Sequence, residues 1–197
     1  MHSGHPDREP GSSRPLRWLI VVLAVIVALT VGWPLVSLAV SDHQPVAAGR
    51  PLTIGPGGGH SATFTPGPGW AVRSAETNSI LRWSLSDGPV NVTVLYVTLI
   101  LPSQADRLWP GLQSILQVGD GSARLGRPAA VSSADGSQGL TGPVTANDAA
   151  GQADVFPRPG ANFAIEIVSG APPPDRAAAQ AATALVARSL RFAAAAR

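Results

Sequence analysis

Residues 80–98 read ILRWSLSDGPVNVTVLYVT, two alternating runs separated by an Asp87-Gly88 turn. Leu81, Trp83 and Leu85 share one face of the first run, and Val90, Val92, Val94 and Tyr96 share one face of the second. Successive side chains of a strand point to opposite faces, so this period of two predicts a β-hairpin with one apolar side.

The neighbouring segments extend that hairpin into a domain. Ser103 is expected to cap a helix carrying Ala105, Leu108, Trp109, Leu112, Ile115 and Leu116, an i, i+3, i+4, i+7 stripe closed by Gly119. Pro110 should kink or restart it, since proline lacks the backbone donor. Short strands are predicted at 130–133, 139–145 and 152–156, divided by turns at Asp135-Gly136, Asn147-Asp148 and 157–160. Residues 162–168 alternate Phe163, Ile165 and Ile167 toward a core. An alanine-rich helix follows at 175–188, with Leu185 and Val186 as its main packing residues, and Ser189-Leu-Arg-Phe192 returns as an edge strand. The expected fold class is α+β: one transmembrane helix, then an extracytoplasmic antiparallel sheet packed with two helices as an α-β-α sandwich.

The transmembrane expectation comes from residues 18–41, an uncharged apolar run of roughly 24 residues that as a helix would span about 36 Å. Arg8, Arg14 and Arg17 precede it and Asp42 follows, which predicts an inside N-terminus and an exported remainder. Trp18 and Trp33 suit the two membrane interfaces. The alternative is a secretory signal cut after Ser37-x-Ala39. The organisation read from punctuation is a disordered cytoplasmic tail at 1–16, a transmembrane helix at 17–41, a flexible linker at 42–60, an extracytoplasmic α+β domain at 61–193 and a C-terminal tail at 194–197. Within the linker, Leu52-Thr-Ile54 can add a short edge strand.

Composition removes several classes of function. All 14 basic residues are arginine, and beyond residue 41 there are 11 arginines against 10 acidic residues, so a nucleic-acid partner is not expected. With no cysteine there is no disulfide framework, and the domain must hold together by burying its core. The histidines, His2, His5, His43 and His60, fall in the tail and linker, which argues against a Ser-His-Asp relay in the fold. Asp87, Asp106, Asp120, Asp135, Asp148 and Asp154 stand singly and read as turn or cap residues, without a metal-binding loop. The glycines of 55–59 lack the Lys-Ser/Thr of a phosphate loop. No catalytic, cofactor-binding or metal-ligating set is assigned, and no cofactor is expected.

Three features remain as candidates. Glu166 is the acid within an apolar strand; it reads as a solvated face or, paired with Arg82, as a polar group lining a groove. Trp70 and Trp83 read as core or as stacking platforms, with Tyr96 similarly open. Asn91-Val-Thr93 matches a glycosylation sequon and is taken as chance in a bacterial-looking chain.

The pattern Phe64-x-Pro66-x-x-Gly69-Trp70-x-Val72, the hairpin leading to a helix with Leu108 and Leu112, the strands with Gly139 and Gly151, and the closing Ser189-Leu-x-Phe192 together resemble PsbP-like domains, nearest to the LpqN-type cell-envelope proteins of actinobacteria. That resemblance implies a compact binding or accessory module outside the membrane, with no catalytic set to carry over. The missing lipobox cysteine departs from the lipoprotein members, and a membrane anchor would replace it. The function expected is a single-pass, membrane-anchored, non-enzymatic envelope module with an envelope protein or ligand as partner. The alternative is a histidine-independent hydrolase or transferase using Asp or Glu with Ser, or a secreted form released by signal cleavage.

Overall fold

The computed structural model describes residues 42–99 and 107–194, and a compact unit begins at Asp42. Its strands are β1 (His43–Pro45), β2 (Leu52–Gly57), β3 (His60–Phe64), β4 (Ala71–Arg73), β5 (Arg82–Asp87), β6 (Val90–Thr98), β7 (Arg124–Leu125), β8 (Ala129–Ser132), β9 (Gln138–Thr145), β10 (Ala150–Pro157), β11 (Phe163–Gly170) and β12 (Arg191–Phe192). Two helices accompany them, α1 (Leu108–Gly119) and α2 (Arg176–Ser189).

The predicted hairpin is the centre of the larger sheet. Asp87 pairs with Val90, so Gly88-Pro89 make the whole connection, and β6 runs against β11 along its length. The sheet order is β1-β4-β5-β6-β11-β10-β9-β7, with β8 also on β9. A smaller sheet has the order β12-β3-β2, and every pairing in both sheets is antiparallel.

Register assigns the faces. Val94 pairs with Ile167 and Tyr96 with Ile165, so Val90, Val92 and Val94 share a side with Phe163, Ile165 and Ile167. On that side they pack with Ile54, Ala62 and Phe64 of the small sheet and Ala179, Val186 and Ala187 of α2. The opposite side carries Ala153, Val155 and Ala164, packed under Leu108, Trp109 and Leu112 of α1. Burying a large aliphatic or aromatic side chain contributes roughly 1.5–3 kcal/mol, so α1 is held mainly by Leu108, Trp109 and Leu112.

The fold class is therefore corrected. In place of a transmembrane helix followed by an α-β-α sandwich, the described residues form a mainly antiparallel β architecture with two helices. Among them no helix is long and apolar enough to cross a membrane. The predicted tail and span at 1–41, and the proposed cap at Ser103, lie outside the described residues. The physical reason for the shift toward β lies in 42–60, expected as a flexible linker, which instead supplies β1, β2 and the turn into β3. Gly58 and Gly59 take φ 59 and 88, conformations that only glycine adopts readily, so they form a hairpin turn. A Cβ on Gly55 would stand 2.4 Å from the His60 carbonyl oxygen, at the register shift between Ile54 and Gly57.

The helices also differ in detail from expectation. Pro110 occupies the first turn of α1, where no intrahelical donor is required, and does not interrupt it. In α2, Val186 is buried as expected but Leu185 is exposed; Ala179, Ala182, Thr183 and Ala187 complete the buried stripe. Small side chains let this helix lie close to the sheet. Leu81 is likewise exposed and precedes β5 rather than joining its inner face.

Candidate functional site

Helix α1 covers only part of its side of the sheet. Trp109 packs so closely over β9 that a Cβ on Gly142 would approach its ring to 2.8 Å. Gln113 fastens the helix to β7, accepting from the Leu125 amide and donating to the Ala123 carbonyl at 3.0 Å. The helix is thus pinned toward β7, β9 and β10, and a groove of about 490 Å³ opens between it and the β5-β6-β11 surface. Leu95 and Val168 form its floor, Leu112, Ile115 and Leu116 its helical wall, and Arg82 and Asp120 contribute charged groups.

A second cavity of about 260 Å³ adjoins it, sharing Ile115 and lined by Val97, Leu99, Arg107, Leu108, Gly111 and Glu166 among others. Ile115 is 54% exposed, so the side chain common to both spaces is not locked into the core. Glu166 is 1% exposed, and its Oε2 has no hydrogen-bond partner. Burial raises its carboxyl from the ordinary 4.5 to about 7, because a charge there is desolvated without compensation.

The solvated-face reading of Glu166 is overturned, since the face opposite Phe163, Ile165 and Ile167 is roofed by α1. The pairing with Arg82 is not formed. Arg82 and Glu166 both face Leu95 in register, which puts them two strand widths, about 10 Å, apart. Arg82 instead lines the larger groove.

Asp154 is the site residue that sequence reasoning misplaced. It lies mid-strand in β10, fully buried, on the side covered by α2. Thr141 Oγ1 and Gln152 Nε2 donate to its Oδ1, the latter at 3.1 Å, while Oδ2 has no partner. Burial raises this carboxyl, and the two hydrogen bonds oppose the shift. The available signal was the adjacent Ala153 and Val155-Phe156, which make β10 apolar on both faces.

The other candidates are structural in placement. Trp70 is buried in the core. Trp83 is half-buried, and its Nε1 donates to the Thr53 carbonyl at 2.8 Å, joining β5 to the small sheet. Tyr96 stacks on Phe163 with ring centroids 5.0 Å apart. His43 and His60 belong to the compact unit rather than to a linker, and the His60 ring lies 5.9 Å from that of Phe163. Asp120 accepts from the Ser122 hydroxyl and amide, and Asp87 and Asp148 are exposed. Asp135 does more than close a turn. Its Oδ2 accepts from the Phe192 amide at 2.7 Å, and its Oδ1 from Ser133 and Ser137. Partial desolvation would raise this carboxyl, but those hydrogen bonds prevail and hold it at about 2. Asp106 lies outside the described residues. Asn91 is exposed on β6 beside the groove.

Among the described residues, no group of three or more His, Cys, Asp or Glu side chains is placed to hold a metal ion. The chain matches no protein-family model, no curated protein and no solved structure, so its site is read from its own geometry.

Proposed function

We propose that this chain is a non-enzymatic binding module of the bacterial cell envelope, held at the outer face of the cytoplasmic membrane through its apolar N-terminal stretch, and that the groove beside α1 receives its ligand. The groove carries this reading: an apolar recess of about 490 Å³ between a helix and a sheet is of the size and character of small-molecule sites. The placement of the acids supports binding over catalysis. Val155 pairs with Glu166 and Asp154 with Ile167, so the two buried carboxyls point to opposite faces of the sheet and do not share a pocket. Paired acid and base chemistry needs both groups at one reacting centre.

The soluble unit from Asp42 onward should enhance the fluorescence of the neutral apolar dye N-phenylnaphthylamine. Val168→Phe, which fills the groove floor, should weaken that binding at least tenfold while the melting transition persists. No dye binding by the folded wild type would end the groove reading. The envelope placement has its own test: protease added to intact spheroplasts should remove the domain and leave an N-terminal tag protected.

A further inference from the structure

Building on the groove as the ligand site, we infer that its ligand is a cationic amphiphile of the alkyl-ammonium class, whose amine seats on Glu166 in the smaller cavity while its apolar chain passes Ile115 into the larger groove. Three observations converge. The two cavities meet at the same half-exposed helical side chain, Ile115. The larger is walled by aliphatic side chains, which suits a hydrocarbon chain. The smaller is lined by Glu166, a residue only 1% exposed, whose Oε2 has no hydrogen-bond partner.

Among the described residues no side chain forms an ion pair with that carboxyl. Among the described residues the ion pair is Arg73 with Glu76, far along the chain from this site. Among the described residues, the charged side chains that line the two spaces with Glu166 are Arg107, exposed at the start of α1, Arg82, two strands away on the same face, and Asp120, exposed just past the other end of α1. Both guanidinium groups are solvated, so an anionic ligand would gain little from either one. An ammonium brought against a desolvated carboxylate interacts at low effective dielectric, where the attraction is several times that in water. The hydrogen-bond donors of a primary amine would also satisfy the orphan Oε2.

This assignment has a pH signature. An ammonium ligand requires Glu166 ionised, and in the free protein that carboxyl ionises at about 7. Apparent affinity should therefore rise roughly 30-fold between pH 5.5 and pH 8, the ratio of the ionised fractions at those two values. Over this range an alkylamine stays protonated.

The experiment is displacement of N-phenylnaphthylamine from the wild-type protein by decylamine, decanol and decanoate at pH 5.5 and 8. Decylamine should be the strongest competitor at pH 8, at least tenfold better than decanol, and should lose about 30-fold at pH 5.5. In Glu166→Gln, whose folding is checked by a cooperative melt, the decylamine pH dependence should vanish. Decanoate or decanol competing as well as decylamine at pH 8 would overturn the cationic assignment while leaving the groove intact as a site. A decylamine pH profile that persists in Glu166→Gln would overturn the role of that residue. Failure of the dye itself to bind the wild type would remove both readings together.

Discussion

The two faces of the larger sheet each bury a carboxylic acid, and they treat it differently. On the α2 side Asp154 receives hydrogen bonds from Thr141 and Gln152 beneath a close-fitting alanine stripe. On the α1 side Glu166 borders open space; each acid keeps one oxygen without a partner, Asp154 Oδ2 and Glu166 Oε2. One acid is built into the packing; the other is left for something to approach. Buried polar groups are normally satisfied from within the protein, so an orphan beside a cavity is the more informative of the two.

The largest expected contrast is between the apolar side chains of the two faces. Phe64 is fully buried between the small sheet and the larger one, and Phe64→Ala should cost about 3–5 kcal/mol through lost burial and a residual cavity. Ile115→Ala on the open side should cost well under about 1 kcal/mol, since that side chain is already half exposed. Urea melts of both variants check this. Equal losses would mean that α1 closes over the groove in solution.

The next effect separates the acids by pH. The folded-state pKa of Glu166 is raised from 4.5 to about 7, so the protonated form is the one that folding favours. Its contribution is fully present below about pH 4.5 and is lost as pH rises through about 7, a decline of about 3 kcal/mol. Asp154 is shifted upward too and acts in the same sense. Asp135 acts oppositely: held at about 2, it contributes stability above its ordinary 3.8 that is lost as pH falls toward 2. The melting temperature should therefore peak in mildly acid solution, near about pH 4.5. Glu166→Gln should flatten the alkaline limb, leaving the slope due to Asp154. A flat wild-type profile from pH 5 to 8 would show that Glu166 is solvated or paired in solution.

A smaller loss is expected where the closed face supplies hydrogen bonds. Thr141→Val keeps the shape of that side chain but removes one donor to Asp154 Oδ1, and should cost about 1–2 kcal/mol at neutral pH. Asp154→Asn in the same background should recover part of that loss by removing the buried carboxyl that lacks its donor. A loss that Asp154→Asn leaves untouched would place the effect of Thr141 outside this hydrogen bond.

How far this contrast was legible beforehand depends on the strand. In β6 the alternation of Val90, Val92 and Val94 identified the inner face correctly, because its other face carries Asn91 and Thr93 beside the open groove. In β11 the same rule put Glu166 in solvent, although Ala164 and Glu166 are as buried as Phe163 and Ile165. A strand covered on both faces has no solvated side, and period-two reasoning then assigns a polar residue to water by default. The small sheet was hidden for a different reason. Glycine and proline at 55–59 mark a flexible tether or a tight hairpin equally well, and the deciding partner, Phe192 opposite Ala62, lies at the far end of the chain. That missing layer led to a helix-weighted fold class, with the partial cover of α1 equally out of view because it depends on how Trp109 meets Gly142.

The smallest effect sharpens the comparison at one atom of α1. Gly111 lies within the helix and lines the cavity that holds Glu166, and a Cβ built on it meets nothing within 4 Å. Glycine inside a helix is less favourable than alanine by about 0.8–1 kcal/mol, so Gly111→Ala should stabilise the protein by up to that amount. Gly111→Leu should retain most of the gain while extending side-chain atoms toward the cavity, and should weaken ligand capture as it does so. Stability and binding would then move in opposite directions from a single position, as expected where a gap is kept for a ligand. If Gly111→Leu were instead destabilising, the space beside Glu166 would be closed in solution and the difference between the two faces would shrink to their hydrogen bonds. Thermal melts paired with dye titrations of the two variants give both readouts from the same samples.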